Sequence, residues 1–139
     1  MSNLEIEEGQ NESIDFSKID KMANLQLGVI PAVAQHAETG EVLIIAYANR
    51  QAVENSLKSR LATFFSTSRN ELWIKGNSSG DALIIDKVLV NCEQNSVLYL
   101  VRPEKGTACH TTRRSGERRV SCFYRELTPS GLKFLEGRE

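Results

Sequence analysis

Over most of this chain apolar residues alternate with polar ones or run in short β-branched blocks, and helical spacing shows in only a few places. Residues 29–36 and 42–48 read as two strands joined by Glu38-Thr39-Gly40, a turn with glycine placed for a positive φ. Residues 63–67, 72–75, 82–91, 96–102 and 120–126 follow as strands, each short and separated from the next by Asn, Gly or Ser. Phe16, Ile19 and Met22 are spaced for a short helix capped by Ser13 and broken before Gly28. Asn49 is placed to cap a second helix, to about Arg60, that buries Ala52, Val53 and Leu57. Thr128-Pro129 has the form of a cap and first-turn proline, which predicts a brief terminal helix. Residues 1–12 are polar, acidic and non-periodic, which predicts a disordered tail ahead of a single domain over 13–139. The pattern as a whole predicts an α+β domain with a mostly antiparallel sheet and a few short helices.

At 139 residues the chain can bury a core of its own without staples. No apolar run approaches the roughly 20 residues that span a bilayer, so no membrane association is expected. The acidic start lacks the basic and greasy stretches of an export signal, which makes the cytoplasm the expected location. A net charge of -1 hides an uneven distribution. Residues 1–20 carry six acidic side chains against Lys18, whereas residues 102–125 carry seven basic side chains against Glu104 and Glu117. A basic segment of this kind favours an anionic small molecule. Nucleic acid is not expected, because Phe123 and Tyr124 are the only aromatics beside those arginines.

That basic segment holds the candidate chemistry. The three cysteines are Cys92, Cys109 and Cys122, and His110 is one of two histidines. An odd number of thiols cannot pair off completely, so metal ligation or redox chemistry is the better reading. Three thiolates leave a tetrahedral zinc one position short of closure, which is what a catalytic zinc needs for water. Thiolates donate much charge, so such a water needs a base nearby, and His110 is the candidate. Adjacent residues in an extended chain face opposite ways, which places His110 as a proton carrier beside the metal rather than as a fourth ligand. His36-Ala37-Glu38 matches half of a zinc deaminase signature, but the paired cysteines of the other half are missing, and His36 reads as a surface residue.

A longer set of segments carries a resemblance. Ile30-Pro31-Ala32-Val33-Ala34-Gln35, Thr39-Gly40-Glu41-Val42-Leu43, Ala46-Tyr47, Ala62-Thr63-Phe64, Ser68-Arg69, Leu72-Trp73-Ile74-Lys75-Gly76, Ser79-Gly80, Ala108-Cys109-His110-Thr111 and Ser121-Cys122-Phe123, in this order, resemble the phosphoribosyl-AMP cyclohydrolase family. The resemblance implies a homodimer with zinc at the subunit interface, held by Cys92 of one chain and by Cys109 and Cys122 of the other. It also implies a phosphorylated purine nucleotide as substrate, opened at the N1–C6 bond of the adenine ring as a step of histidine biosynthesis. Ser68, Arg69, Trp73, Lys75, Thr111, Arg113 and Arg114 are then candidates for substrate binding, with Arg118 and Arg119 also on the basic rim and Trp73 placed to stack on the purine.

The chain departs from the family pattern in two places. Where the family usually has an acidic D-C-D-x-D stretch for magnesium, this chain reads Asn91-Cys92-Glu93-Gln94-Asn95. Loss of carboxylates implies that magnesium is weakly held or arrives with the substrate. The interval from Cys109 to Cys122 is longer than in the usual CHTGxxSCF-like loop, but loop length costs little closure entropy and the two cysteines can still converge. A related zinc hydrolase acting on another nucleotide, and a non-catalytic dimer with a structural zinc, are the alternatives that these departures leave open.

Overall fold

Strand β1 (Ile30–His36) organises the sheet because it is paired along both edges. On one side it runs antiparallel to β2 (Val42–Ala48), across the hairpin expected at Gly40, whose φ is 77°. On the other it runs parallel to β6 (Val97–Pro103), which in turn pairs antiparallel with β5 (Leu83–Val90). The result is a four-stranded mixed sheet in the order β2-β1-β6-β5, in which two of the three pairings are antiparallel. The computed structural model describes residues 3–139.

Between β2 and β5 the chain forms α3 (Arg50–Ser59) and a small hairpin of β3 (Thr63–Ser66) and β4 (Glu71–Ile74). The Asn49 side chain accepts the Ala52 N–H at 2.9 Å, the cap expected from the sequence. The buried face of α3 differs from expectation. Ala52 and Ser56 are fully buried, whereas Leu57 is 51% exposed. Ser56 points inward because its hydroxyl bonds the Ala52 and Thr63 carbonyls and accepts the Thr63 N–H, which locks α3 onto β3.

Ala32, Ala34, Leu43, Phe64, Leu83, Tyr99 and Val101 form the centre of the core, on the side of the sheet that α3 and the β3–β4 hairpin cover. The opposite side is left open. There Ile45, Val33, Leu98 and Leu89 sit directly across from one another on all four strands. Ile45 is 53% exposed and Leu89 44%, with Val33 and Leu98 half-buried between them.

Three segments differ from their sequence readings. Helix α2 is Lys18–Leu25 rather than starting after Ser13, because Asp15 accepts the Ser17 N–H at 2.9 Å and turns the chain there. The strand expected at 120–126 and the helix expected at Thr128-Pro129 are replaced by a hairpin of β7 (Arg125–Thr128) and β8 (Gly131–Phe134). Pro129 suits the first corner of a tight turn as well as a helix start, and pairing of Leu127 with Leu132 decides for the turn. The third is α1 (Asn3–Glu8), a helix in the tail expected to be disordered. Its order comes from Arg119, Tyr124 and Arg125, which bond it from the far end of the chain. Residues 1 and 2 of that expected tail lie outside the described residues. Among the described residues no helix is long and apolar enough to cross a membrane.

Candidate functional site

Cys109 and Cys122 come together because the long interval between them folds back on itself. Ala108 donates to the Val120 carbonyl at 2.9 Å, Cys109 to Arg119 at 3.1 Å and Arg119 to Thr111 at 3.1 Å. Further out, Arg113 donates to Glu117 at 2.7 Å, and Gly116, with φ 92°, completes the tip. The extra residues therefore form a protruding hairpin whose base is as narrow as a short loop would be. Cys122 is then pinned to β2 by its N–H on the Leu43 carbonyl at 2.8 Å, while the Ser121 hydroxyl bonds Val42.

The two thiols act on each other in opposite directions. Cys122 donates its S–H to Cys109, and the Thr111 hydroxyl lies 2.9 Å from the Cys109 sulfur, with the Thr111 N–H at 3.5 Å. These hydrogen bonds, assisted by the nearby His110, hold the Cys109 thiol far below its usual range, at about 5, despite its burial. Cys122 moves the other way, because it bonds the Cys109 thiolate as a protonated thiol and because it is buried. The pair thus presents one thiolate in neutral solution, ready for a metal.

Lys75, expected on an exposed phosphate-binding rim, is 3% exposed and lies by this pair. Burial pushes its ammonium pKa down, while Asp81 and the sulfurs of Cys122 and Cys109 oppose that shift. Gly76 makes the arrangement possible. At φ 85° its missing Cβ would lie 2.1 Å from the Ala82 nitrogen, so only glycine lets the chain fold Asp81 back towards Lys75. Asp81, itself 2% exposed, accepts Arg118 at 2.8 Å and Thr107 at 3.4 Å.

One strand connects the thiols to a cleft. Lys75 follows β4 directly, two residues after Trp73. Trp73 lines a cleft of about 250 Å³ together with Ser66, Ser68, Arg69, Lys18 and Tyr47. Three of the expected substrate residues, Ser68, Arg69 and Trp73, are thus brought together. Lys18 was not foreseen, because no local pattern sets it apart from its acidic surroundings, and Tyr47 entered only as part of a family-like segment with no role assigned.

The remaining candidates are more scattered. Thr111 supports Cys109 from beneath. His110 is exposed, and its Nε2 lies 2.7 Å from Glu7 Oε2. Arg113 pairs loosely with Glu117 at 3.6 Å, and Arg114 lines a separate groove with Gln10, Glu126 and Lys133. Arg118 is engaged by Asp81, and Arg119 is fully buried against Glu8. Neither arginine forms an open rim.

Cys92 is not with the other two cysteines. It is exposed in the turn between β5 and β6, and among the described residues no three His, Cys, Asp or Glu side chains gather closely enough to hold a metal ion. The same turn holds Asn91, Glu93 and Asn95. Asn91 Oδ1 accepts the backbone N–H groups of Asn95 and Ser96, both at 2.9 Å, while Asn95 donates to Glu93 at 3.2 Å and accepts from Asn91. Its side-chain oxygens are used by the turn itself, with one carboxylate among them, which does not fit a tight magnesium site.

The sequence matches the family profile of phosphoribosyl-AMP cyclohydrolase over residues 44–124. A phosphoribosyl-AMP cyclohydrolase from Erythrobacter litoralis is 41% identical over 96% of this chain and 97% of its own length. One from Nitrosopumilus maritimus is 43% identical over 84% of this chain and 94% of its own. A histidine biosynthesis bifunctional protein from Thermus thermophilus is 50% identical over 72% of this chain, and the match spans 44% of that longer protein.

Proposed function

The chain belongs to the phosphoribosyl-AMP cyclohydrolase family, hydrolases of histidine biosynthesis, and we propose that it opens the adenine ring of phosphoribosyl-AMP at the N1–C6 bond in a zinc-dependent hydrolysis. The observation that carries the proposal is the Cys109–Cys122 pair, two sulfurs beside a buried lysine with Cys109 held far below the usual thiol range, and the third cysteine exposed elsewhere.

Within one chain that donor set is incomplete, so the third sulfur comes from a second copy. The uncovered row of Ile45, Val33, Leu98 and Leu89 is the surface for that copy. A groove of Val33, Val42, Leu89, Leu98 and Asn91 runs along it to the Cys92 turn, so pairing through this face brings Cys92 to the boundary between copies. In this homodimer Cys109 and Cys122 of one chain and Cys92 of the other hold the zinc.

When bound, zinc supplies a polarised water and a centre of positive charge for the oxygen that develops on C6. His110 takes the proton of the attacking water and returns it to N1 as the ring opens. Trp73 stacks on the purine, and Lys18, Ser66, Ser68 and Arg69 bind phosphate, in preference to Arg113 and Arg114, whose surroundings lie outside the cleft. Lys75 balances the negative charge of the thiolates. Magnesium is weakly held or brought in by the substrate, a reading supported by the self-bonded Asn91–Asn95 turn.

Ultraviolet monitoring of phosphoribosyl-AMP with zinc-loaded protein tests the proposal. Wild type is expected to open the ring and Cys109→Ala to be inactive. Turnover of a different nucleotide with none of phosphoribosyl-AMP would replace this substrate by another.

A further inference from the structure

Helix α1 is fixed to the second half of the chain at several points. The Tyr124 hydroxyl donates to the Glu7 carbonyl at 2.7 Å. Arg125 donates to the carbonyls of Gly9 and Ile6 at 2.7 and 2.9 Å. Glu8 receives the guanidinium fork of Arg119, and Leu132 donates its N–H to the Gln10 carbonyl at 2.8 Å. A helix of six residues is too short to persist by its own hydrogen bonds, so these contacts determine where it lies.

Held there, α1 delivers the Glu7 side chain to His110, with Oε2 2.7 Å from Nε2. A carboxylate only accepts, so Nε2 carries the hydrogen. A neutral imidazole has a single N–H, which leaves Nδ1 with its lone pair. Glu7 lies outside the residues matched by the family profile, and nothing in the three-cysteine motif points to it.

We infer that Glu7 is a positioning residue for His110, holding the ring in one orientation and in the Nε2–H tautomer so that Nδ1 faces the reaction as the proton acceptor. The inference rests on the reading of His110 as proton carrier. An O–H bond of water breaks as its oxygen bonds C6, and that proton passes to Nδ1, while the second water proton moves from the new C6 hydroxyl to the exocyclic nitrogen, so that C6 ends as the carbon of a carboxamide. The first proton then leaves Nδ1 for N1 as the N1–C6 bond breaks, and Glu7 neither gains nor loses one. Carboxylates that orient a working imidazole in this way commonly contribute tenfold or more to activity.

The test uses the zinc-loaded full chain with phosphoribosyl-AMP and the variants Glu7→Gln, Glu7→Asp, His110→Ala and the Glu7→Gln/His110→Ala double variant. Glu7→Gln is expected to lower kcat roughly tenfold to a hundredfold with KM unchanged. Glu7→Asp should recover part of the loss, and Glu7→Gln should add nothing in the His110→Ala background. Nitrogen NMR of the imidazoles, of which the chain has two, should show His110 leaving the pure Nε2–H form in Glu7→Gln. An unchanged or raised kcat in Glu7→Gln, or an unchanged His110 spectrum, would overturn the inference. Full activity in Glu7→Gln with none in His110→Ala removes the inference alone. Wild-type kcat in His110→Ala removes the proton-carrier reading and the inference with it.

Discussion

Arg119 reaches back across 111 residues of sequence to fork onto Glu8, at 2.7 and 2.9 Å. Its guanidinium is 1% exposed, stacks 4.1 Å from the centre of the Tyr124 ring and donates to the Arg138 carbonyl at 2.6 Å and the Thr111 hydroxyl at 3.2 Å. One side chain therefore ties α1, the segment that carries Cys109 and the end of the chain into a unit. The basic segment that suggested an anion-binding rim from sequence uses this arginine to hold itself together.

Removal of that guanidinium should be costly. Arg119→Ala leaves Glu8 and the Thr111 hydroxyl without their partner and opens a hole against Tyr124, so urea unfolding is expected to show a loss of roughly 3 kcal/mol. The bond to Arg119 holds the Glu8 carboxyl below its ordinary value of 4.5. A depressed carboxyl contributes stability that is present above the ordinary value and lost as the pH falls through the folded one. Wild type should accordingly weaken on acidification below about 4.5, and Glu8→Gln should be less stable at neutral pH with a flatter acid limb.

How far the chain could be read in advance depended on whether the signal was local. The Asn49 cap, the Gly40 turn and six of the strands follow from neighbouring residues, and the structure has them within a residue or two. The cysteine trio and His110 were visible as residue types, and so was a cleft residue such as Trp73. What escaped was set at long range. Helix α1 is stabilised by residues more than 110 positions away, and the parallel pairing of β1 with β6 joins segments with a helix and three strands between them, besides β2. Lys75 carries no sign in its own neighbourhood that Gly76 and Asp81 will bury it. Thr128-Pro129 suits two structures, and only the pairing of Leu127 with Leu132 chooses between them.

The mutual effect of the two thiols can be tested in the metal-free protein. Cys109, held at about 5, should remain a thiolate well below neutral pH and protonate only as the pH falls through that value. Replacement of Cys122 by alanine removes the largest cause of the shift, so the thiolate ultraviolet band of Cys109 should disappear at a higher pH than in wild type. An unmoved transition in Cys122→Ala would show that Cys122 does not stabilise the Cys109 thiolate.

Lys75 should act on metal affinity. Its ammonium lowers the pKa of the Cys122 thiol, so its loss makes that thiol harder to deprotonate and opposes ligation. Lys75→Met is expected to weaken zinc binding about tenfold in a chelator competition, the usual size of an effect on residues around a metal site. Arg69 lines the cleft and is not among the groups named as acting on Cys109 or Cys122, so Arg69→Ala should raise KM for the substrate and leave zinc affinity unchanged.

The open sheet face makes a prediction about assembly. Val33 and Leu98 are adjacent at the centre of the four-residue row and half-buried, so a charge at either position can still reach solvent in the single chain but is strongly unfavourable against a second copy. Leu98→Glu is expected to yield a folded monomer by light scattering, with an unchanged circular dichroism spectrum and no zinc-dependent activity. A Leu98→Glu protein that still dimerises would place the contact on another surface.

Sharing of the metal site between copies gives the sharpest expectation, because it concerns two defective proteins. Cys92→Ala and Cys109→Ala should each be inactive alone. In a mixed dimer of the two, both defects fall in one site, and the other site is assembled from intact residues of both chains. Random exchange of subunits makes half of the dimers mixed, each with one working site, so an equal mixture should regain about a quarter of wild-type activity. Cys109→Ala mixed with Cys122→Ala should regain nothing, since those residues come from the same chain and every site in every dimer then lacks one of them. Equal recovery in both mixtures, or none in either, would mean that Cys92 is not exchanged between subunits.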